Sequence, residues 1–345
     1  MNRQRNIQIL RILACFGVFL VHFGQQLEFH GILRIFTDMG AMGVYLFFLL
    51  SGYLSFVSFD RKGEGGLLQY YARRLARILP VYYVVIIYQF ILHVYILCDV
   101  PVDDTHLGWF RYVFLINTTI PASDVFWTNL NLTWTIPAFM LFYLFAPLLY
   151  KYVRNFNTAL IVWLLSCFFT YIPNIYAPDY APIKYMQFFL FGIVIYYIQA
   201  EKKEDQLIIL LVIYLLYFLF IIYTTGNLQI NIWTMIFGLI LIGSSNLVIK
   251  RDALCHIIDV LDEYSFSVYL IHGIAIGNVG IWRKVTQYEQ WRLQAGVLII
   301  LQTIMGVILV HNIIEKPVYS FIKKHTESLG RVNCASDELN NKINK

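Results

Sequence analysis

Ile9-Leu10-Arg11-Ile12-Leu13-Ala14-Cys15-Phe16-Gly17-Val18-Phe19-Leu20-Val21-His22 reads as a plain membrane-spanning helix at all but two positions. A guanidinium and an imidazole stand among residues that otherwise suit the hydrocarbon core of a bilayer. Placing a charged side chain there costs roughly 3 kcal/mol or more, so such groups face a bundle interior and serve a function. The eleven steps from Arg11 to His22 turn the helix through about 1100°, some 20° past three full turns. Both side chains therefore project from one face, ~16 Å apart along the axis. Taken singly, Arg11 reads as a residue that snorkels to the headgroups and His22 as one satisfied by a neighbouring carbonyl. As a pair on one face they read as a site.

The rest of the 345 residues agrees with a membrane setting. Hydrophobic residues make up 59% and charged residues 14%, with a mean hydropathy of +0.63. Runs of about 18–20 apolar residues recur, each long enough to cross a bilayer as a helix. The expected fold is an all-α, polytopic integral membrane bundle of about ten transmembrane helices. The spans are drawn at 7–26, 40–59, 79–98, 132–150, 158–176, 183–199, 206–224, 228–249, 263–281 and 293–315.

Charge sets the orientation. Arg3 and Arg5 precede the first span, and Arg61, Lys62, Arg73, Arg74 and Arg77 lie between the second and third. Lys151 and Arg154, Lys202 and Lys203, Lys250 and Arg251, and Lys316, Lys323 and Lys324 fall on the same side of a ten-span arrangement. Both termini are then cytoplasmic by the positive-inside rule. Residues 1–325 form one membrane-embedded domain, and 326–345 a polar cytoplasmic tail. The longest outside connection is 99–131, with an aromatic run from Trp109 to Ile116.

Composition also excludes several classes. The net charge of +5 belongs to the loops and sets topology, so it does not point to nucleic acid. Five scattered cysteines, without paired spacing, suggest neither a metal site nor a disulfide framework. The basic N-terminus resembles a signal peptide, but Arg11 breaks the apolar run and no small-residue cleavage site follows, so it reads as a retained first helix. Nothing in the residues specifies an oligomeric state.

Four further stretches carry possible chemistry. Phe47-Phe48-Leu49-Leu50-Ser51-Gly52-Tyr53 places small residues where another helix can approach closely. Arg73, Arg74 and Arg77 share one helical face ahead of Pro80 and Tyr82, and Pro80 is expected to end or kink that helix. Such a face either sets topology or clamps phosphate through guanidinium forks. Trp134-Thr135-Ile136-Pro137, with Tyr143 after it, begins the fourth span, where a belt tryptophan is ordinary. Ser265-Phe266-Ser267-Val268-Tyr269-Leu270-Ile271-His272 brings a second intramembrane histidine, and Glu315 precedes Pro317 at the end of the last span. His93 and His311 also fall within spans and read as packing residues.

Together these stretches resemble one family, the membrane-bound acyltransferases of type 3, which move acyl groups from acyl-CoA to carbohydrate or related acceptors. The resemblance runs in order from Arg11 to Pro317. Arg11 and His22 match the family's Arg-x10-His motif, and Phe47 to Tyr53 its Phe-Phe-x-Leu-Ser-Gly-Phe stretch. Arg74, Arg77, Ile78, Pro80 and Tyr82 match its basic element. Ser267, Tyr269, Leu270 and His272 match Ser-x-Tyr-Leu-x-His, and Glu315 with Pro317 its terminal Glu-x-Pro. One departure stands out. Many members carry a Glu after Trp-Ser-Leu, and here Phe139 and Met140 stand in its place, which leaves open what orients the reactive histidine.

The resemblance implies an O-acetyltransferase of the bacterial inner membrane, with acetyl-CoA as donor and no metal. Its phosphates would rest on Arg73, Arg74 and Arg77, with Arg11 steadying the cofactor. His22 would act as general base or as covalent nucleophile toward a hydroxyl of a surface polysaccharide or glycolipid. The remaining motif positions are Ser51, Tyr82, Trp134, Tyr143, Ser267, Tyr269, His272 and Glu315. Two other classes stay open: a transporter or flippase for a sugar-linked lipid or small solute, and a non-catalytic scaffold. The missing internal repeat weighs against the transporter.

Overall fold

The computed structural model describes residues 2–62, 67–99, 110–118, 131–171, 181–203, 205–225, 229–244, 252–286 and 291–326. No β-strand occurs among them. Helix α1 runs Asn2–Gln26, a short α2 Gly31–Asp38, α3 Gly43–Lys62 and α4 Leu67–Phe90, which continues as a π-turn over Ile91–Ile96. Then come α5 Thr135–Tyr152, α6 Phe156–Tyr171, α7 Met186–Ala200, α8 Gln206–Thr225 and α9 Gln229–Ser244. Helix α10 spans Asp252–Thr286, and α11 runs Arg292–Val310 before a π-turn at His311–Glu315 and further helix to Thr326.

Seven described helical runs are long and apolar enough to cross a membrane. Three of the expected spans are shorter apolar helices, at Phe156–Phe168, Gln206–Tyr217 and Trp233–Ser244. Of the two outcomes expected at Pro80, an end to the helix does not occur: the residue lies inside α4. Its ring forfeits only the bond to the carbonyl of Ala76, and burial of Tyr82, Val85 and Ile86 on the same helix holds the rest in place. The ninth span was drawn too short. Its helix begins at Asp252, so Asp262 and Glu263 lie well inside it.

Helices α1 and α10 lie parallel, joined rung by rung. Gln8 Nε2 donates to Asp259 at 3.0 Å, Arg11 pairs with Asp262 at 2.6 Å, and the Cys15 thiol donates to the Ser265 carbonyl at 3.0 Å. Beyond the His22 level, Arg283 donates to the Gln26 carbonyl at 2.7 Å, and Glu28 takes Arg292 at 2.6 Å and Arg283 at 3.7 Å. Glu28 sits at a φ of 54°, a left-handed conformation that a non-glycine residue adopts when its surroundings fix it.

Helices α3 and α7 pack nearly backbone to backbone. A Cβ on Gly52 would lie 1.9 Å from the Phe189 carbonyl oxygen, and one on Gly192 2.1 Å from that of Leu49. The small residues of the Ser51-Gly52 stretch thus serve the close approach their sequence suggested. Gly52→Val is expected to destabilise the bundle by about 3 kcal/mol or more, because backbone cannot move aside as a side chain can. Melting of the detergent-solubilised variant checks this, and an unchanged Tm would refute the packing argument.

Candidate active site

The two intramembrane histidines meet. The ring centroids of His22 on α1 and His272 on α10 are 5.6 Å apart, with the planes tilted by 31°. Nδ1 of His272 lies 2.9 Å from the Val268 carbonyl, which can only accept, so that nitrogen carries the proton. Its Nε2 is buried and has no hydrogen-bond partner among the described residues. Nδ1 of His22 faces the Gln25 amide oxygen at 3.3 Å, so in this tautomer Nε2 is again the basic atom. The site therefore holds two imidazoles, each tied at Nδ1 and each with Nε2 left for chemistry.

Tyr269, one turn before His272, fixes that wall of the site. Its hydroxyl shares a 2.8 Å hydrogen bond with Thr135 Oγ1 at the start of α5, and Phe47 of α3 meets its ring edge-on at 5.6 Å. Phe19 meets the His272 ring edge-on at 6.0 Å. Trp134 turns elsewhere, packing on Tyr185 at 4.6 Å and Phe48 at 6.0 Å. Where many relatives of the motif carry a carboxylate, Phe139 packs against Phe48 at 5.0 Å and Phe189 at 5.6 Å. Aromatic packing fills that place, and Gln25 is the group that holds His22.

Arg11 does not snorkel alone. Its guanidinium pairs with Asp262, and the two side chains are only 25% and 9% exposed. Arg74 and Arg77 are near enough to repel Arg11 electrostatically, and Asp262 offsets that repulsion. Arg73, Arg74 and Arg77 all line one cavity of about 690 Å³, a volume typical of cofactor sites. Lys151 at the end of α5 and Arg154 just beyond it line it too, although their positions in the sequence suggest only topology. Arg74 is seated over the rings of Tyr143 at 4.9 Å and Tyr70 at 5.7 Å, and the Tyr143 hydroxyl donates to Ser51 Oγ at 3.3 Å. Two motif positions on two other helices, Tyr143 and Ser51, thus support the guanidinium of a third, Arg74. Arg73 reaches Gln69 at 3.5 Å.

Ser267 and Glu315 belong to a separate brace. The Ser267 hydroxyl donates to the Glu315 carboxylate, which also meets His311 Nδ1 at 2.9 Å. Nε2 of His311 faces Glu263 at 3.2 Å, and Lys316 closes on the same carboxylate at 3.3 Å. His311, which reads as packing in the sequence, is held between two acids at a π-turn and ties α11 to α10. Tyr82 has a different task again. Its hydroxyl donates to the Tyr112 carbonyl at 2.7 Å, and that of Tyr83 to Val113 at 2.9 Å, pinning 110–118 to α4. Residues 100–109, with Trp109, and 119–130 lie outside the described residues, as does the tail after Thr326. No group of three or more potential metal ligands occurs among the described residues.

Arginine forks at one end, a neutral-capable histidine pair at the other, and the rise of one helix between them suit a phosphate-bearing donor and proton removal from an acceptor. A family model described as an acyltransferase domain matches residues 4–313. "Acyltransferase MdmB" from Streptomyces mycarofaciens is 25% identical over 162 residues, covering 45% of this chain and 41% of that protein. The matching region thus spans about two fifths of that relative's length. No solved structure matches the chain. The motifs, their placement and the match over nearly the whole chain put this integral membrane protein in the acyltransferase type 3 family.

Proposed function

We propose that this protein is a membrane O-acyltransferase that takes acetyl from cytoplasmic acetyl-CoA and delivers it to a hydroxyl of an extracytoplasmic or lipid-linked carbohydrate. One observation carries the reading: Arg74 and Arg77 of the five-cation cavity lie within electrostatic range of Arg11, and the helix that carries Arg11 carries His22 of the histidine pair roughly 16 Å further along. An extended pantetheine arm has about that reach. The CoA phosphates rest on Arg73, Arg74 and Arg77, and the thioester lies beside His22. His22 Nε2 takes the proton of the acceptor hydroxyl as its oxygen attacks the thioester carbonyl; the C–S bond breaks and CoA leaves as thiolate, to be protonated by the imidazolium. His272 and Tyr269 form the opposite wall. Purified protein given labelled acetyl-CoA tests this: acceptor-dependent release of free CoA supports it, and no release with candidate glycans returns the transporter or scaffold reading.

The proposal sets residues 1–325 in the bacterial inner membrane as one ten-span domain, with both termini and the 326–345 tail in the cytoplasm. Cysteine accessibility in intact cells should find 60–78 and the region after Phe321 shielded from outside, and 110–118 on the outer side. A surface-labelled cysteine within 60–78 would reverse the direction of transfer.

For the basic cavity, Arg74→Gln and Arg77→Gln should each raise the KM for acyl-CoA at least about tenfold, since one charge-assisted phosphate contact is worth ~1.5–3 kcal/mol. The kcat at saturation should change little. Unchanged KM in both variants would leave these arginines to topology alone.

A further inference from the structure

A second cavity, of about 580 Å³, lies between α1, α10 and α11 and shares no lining residue with the basic one. Its wall on α1 is the stripe Ile12, Cys15, Phe16 and Phe19. Phe16, Ile300 and Ile304 at its edges are exposed on helices that cross the membrane, so it opens to the bilayer. Three of its polar side chains are satisfied internally. The Cys15 thiol donates to Ser265 O, the Ser265 hydroxyl to Asp262 O at 2.8 Å, and the Thr303 hydroxyl to Ile299 O at 2.7 Å. Beyond the Tyr264 hydroxyl, the groove thus offers a pantetheine arm, with its amides, little to replace lost water contacts. A hydrocarbon chain needs no such partner.

The groove also has a direction. At its inner end Ile12 and Leu261 adjoin the Arg11–Asp262 pair, and at its outer end Phe19 stands edge-on to His272, with Val268 holding the His272 Nδ1 proton. From Ile12 to Phe19 it extends ~10 Å along α1. A lipid of the outer leaflet, its headgroup at His22, would run its chain inward along this path. Resting on the reading of His22 as the reacting centre, we infer that the groove seats the hydrocarbon tail of a membrane-anchored, hydroxyl-bearing acceptor. The donor then approaches through the α3–α4–α5 cavity and the acceptor from the bilayer on the other side of α1.

The test uses the full chain in lipid nanodiscs and a dodecyl glucoside with a photoactivatable diazirine in its tail. Labelling is expected to concentrate in peptides covering 12–19, 261–268 and 300–308, above the equally lipid-facing 208–219. Ile304→Trp and Thr303→Trp fill the groove and should lower that labelling at least about tenfold, as expected when two or more methylenes lose their contacts. Leu301→Trp, on the same helix but outside the groove, should leave it unchanged. Even labelling of all lipid-facing helices, or no response to Ile304→Trp, overturns the inference. So does displacement of the probe by long-chain acyl-CoA but not by unlabelled dodecyl glucoside, which would give the groove to the donor. His22→Gln should label normally. If transfer does not depend on His22 while the groove still labels, the functional reading falls and the lipid site stands.

Discussion

His22→Gln is expected to lower kcat at least about a hundredfold while leaving acyl-CoA binding intact, the range of a lost general base being 10²–10⁴. Glutamine keeps most of the bulk and the hydrogen-bonding reach toward Gln25, but it cannot take a proton at neutral pH. The cofactor phosphates are assigned to Arg73, Arg74 and Arg77 on α4, so titration with a CoA analogue should give a Kd close to that of the parent protein. His272→Gln is the informative comparison. Its ring is tied within its own helix to Val268 and lies 5.6 Å from His22, so its loss should disturb the wall of the site and reduce turnover less. The reverse order, with His272→Gln the more damaging, would move the proton acceptor to α10. If neither substitution matters, no acyl transfer takes place at this pair.

The second large effect concerns Asp262. Replacing it by Leu removes the only hydrogen-bonding partner identified for the Arg11 guanidinium among the described residues, and leaves that cation facing Arg74 and Arg77. Breaking a buried ion pair from one side costs about 3–5 kcal/mol. The double variant Arg11→Met with Asp262→Leu should recover most of that stability, because a packed apolar pair is often as stable as the ion pair it replaces. Activity should stay lost. A thermal melt and a CoA-release assay on the same samples separate the two outcomes: a stable and active double variant would show that the pair is structural only.

The overall architecture was legible because hydropathy and loop charge act over whole segments and tolerate local error. The Arg11–His22 pair was legible because polar residues in an apolar helix are conspicuous and their spacing fixes a face. Asp262 was missed for the opposite reason. Set beside Glu263 near the drawn edge of a span, it reads as a loop charge, and only the length of α10 shows that it lies deep in the bundle. A question would have found it: a guanidinium in a bilayer needs a counter-ion, and few acids in the spans can supply one. Lys151 and Arg154 were hidden by the rule that oriented the bundle, since a cation that sets topology looks the same as one that lines a pocket. Gln25 carried no signal at all, and Thr135 was visible only as part of the stretch after Trp134, because the roles of both depend on which helices meet.

The parallel ladder between α1 and α10 has a consequence for biogenesis. Its rungs join residues some 250 positions apart in the chain, Arg11 with Asp262 and Cys15 with Ser265. At ~5–20 residues per second a ribosome needs roughly 12–50 s to cover that interval. Throughout that time Arg11 lacks the counter-charge that Asp262 supplies in the finished bundle. The reaction centre is therefore among the last parts of the molecule to be assembled. A chain cut short between Arg77 and α10 keeps the arginines proposed to bind the donor and keeps His22, but it lacks Asp262 and His272, so the proposed site is incomplete until α10 is made.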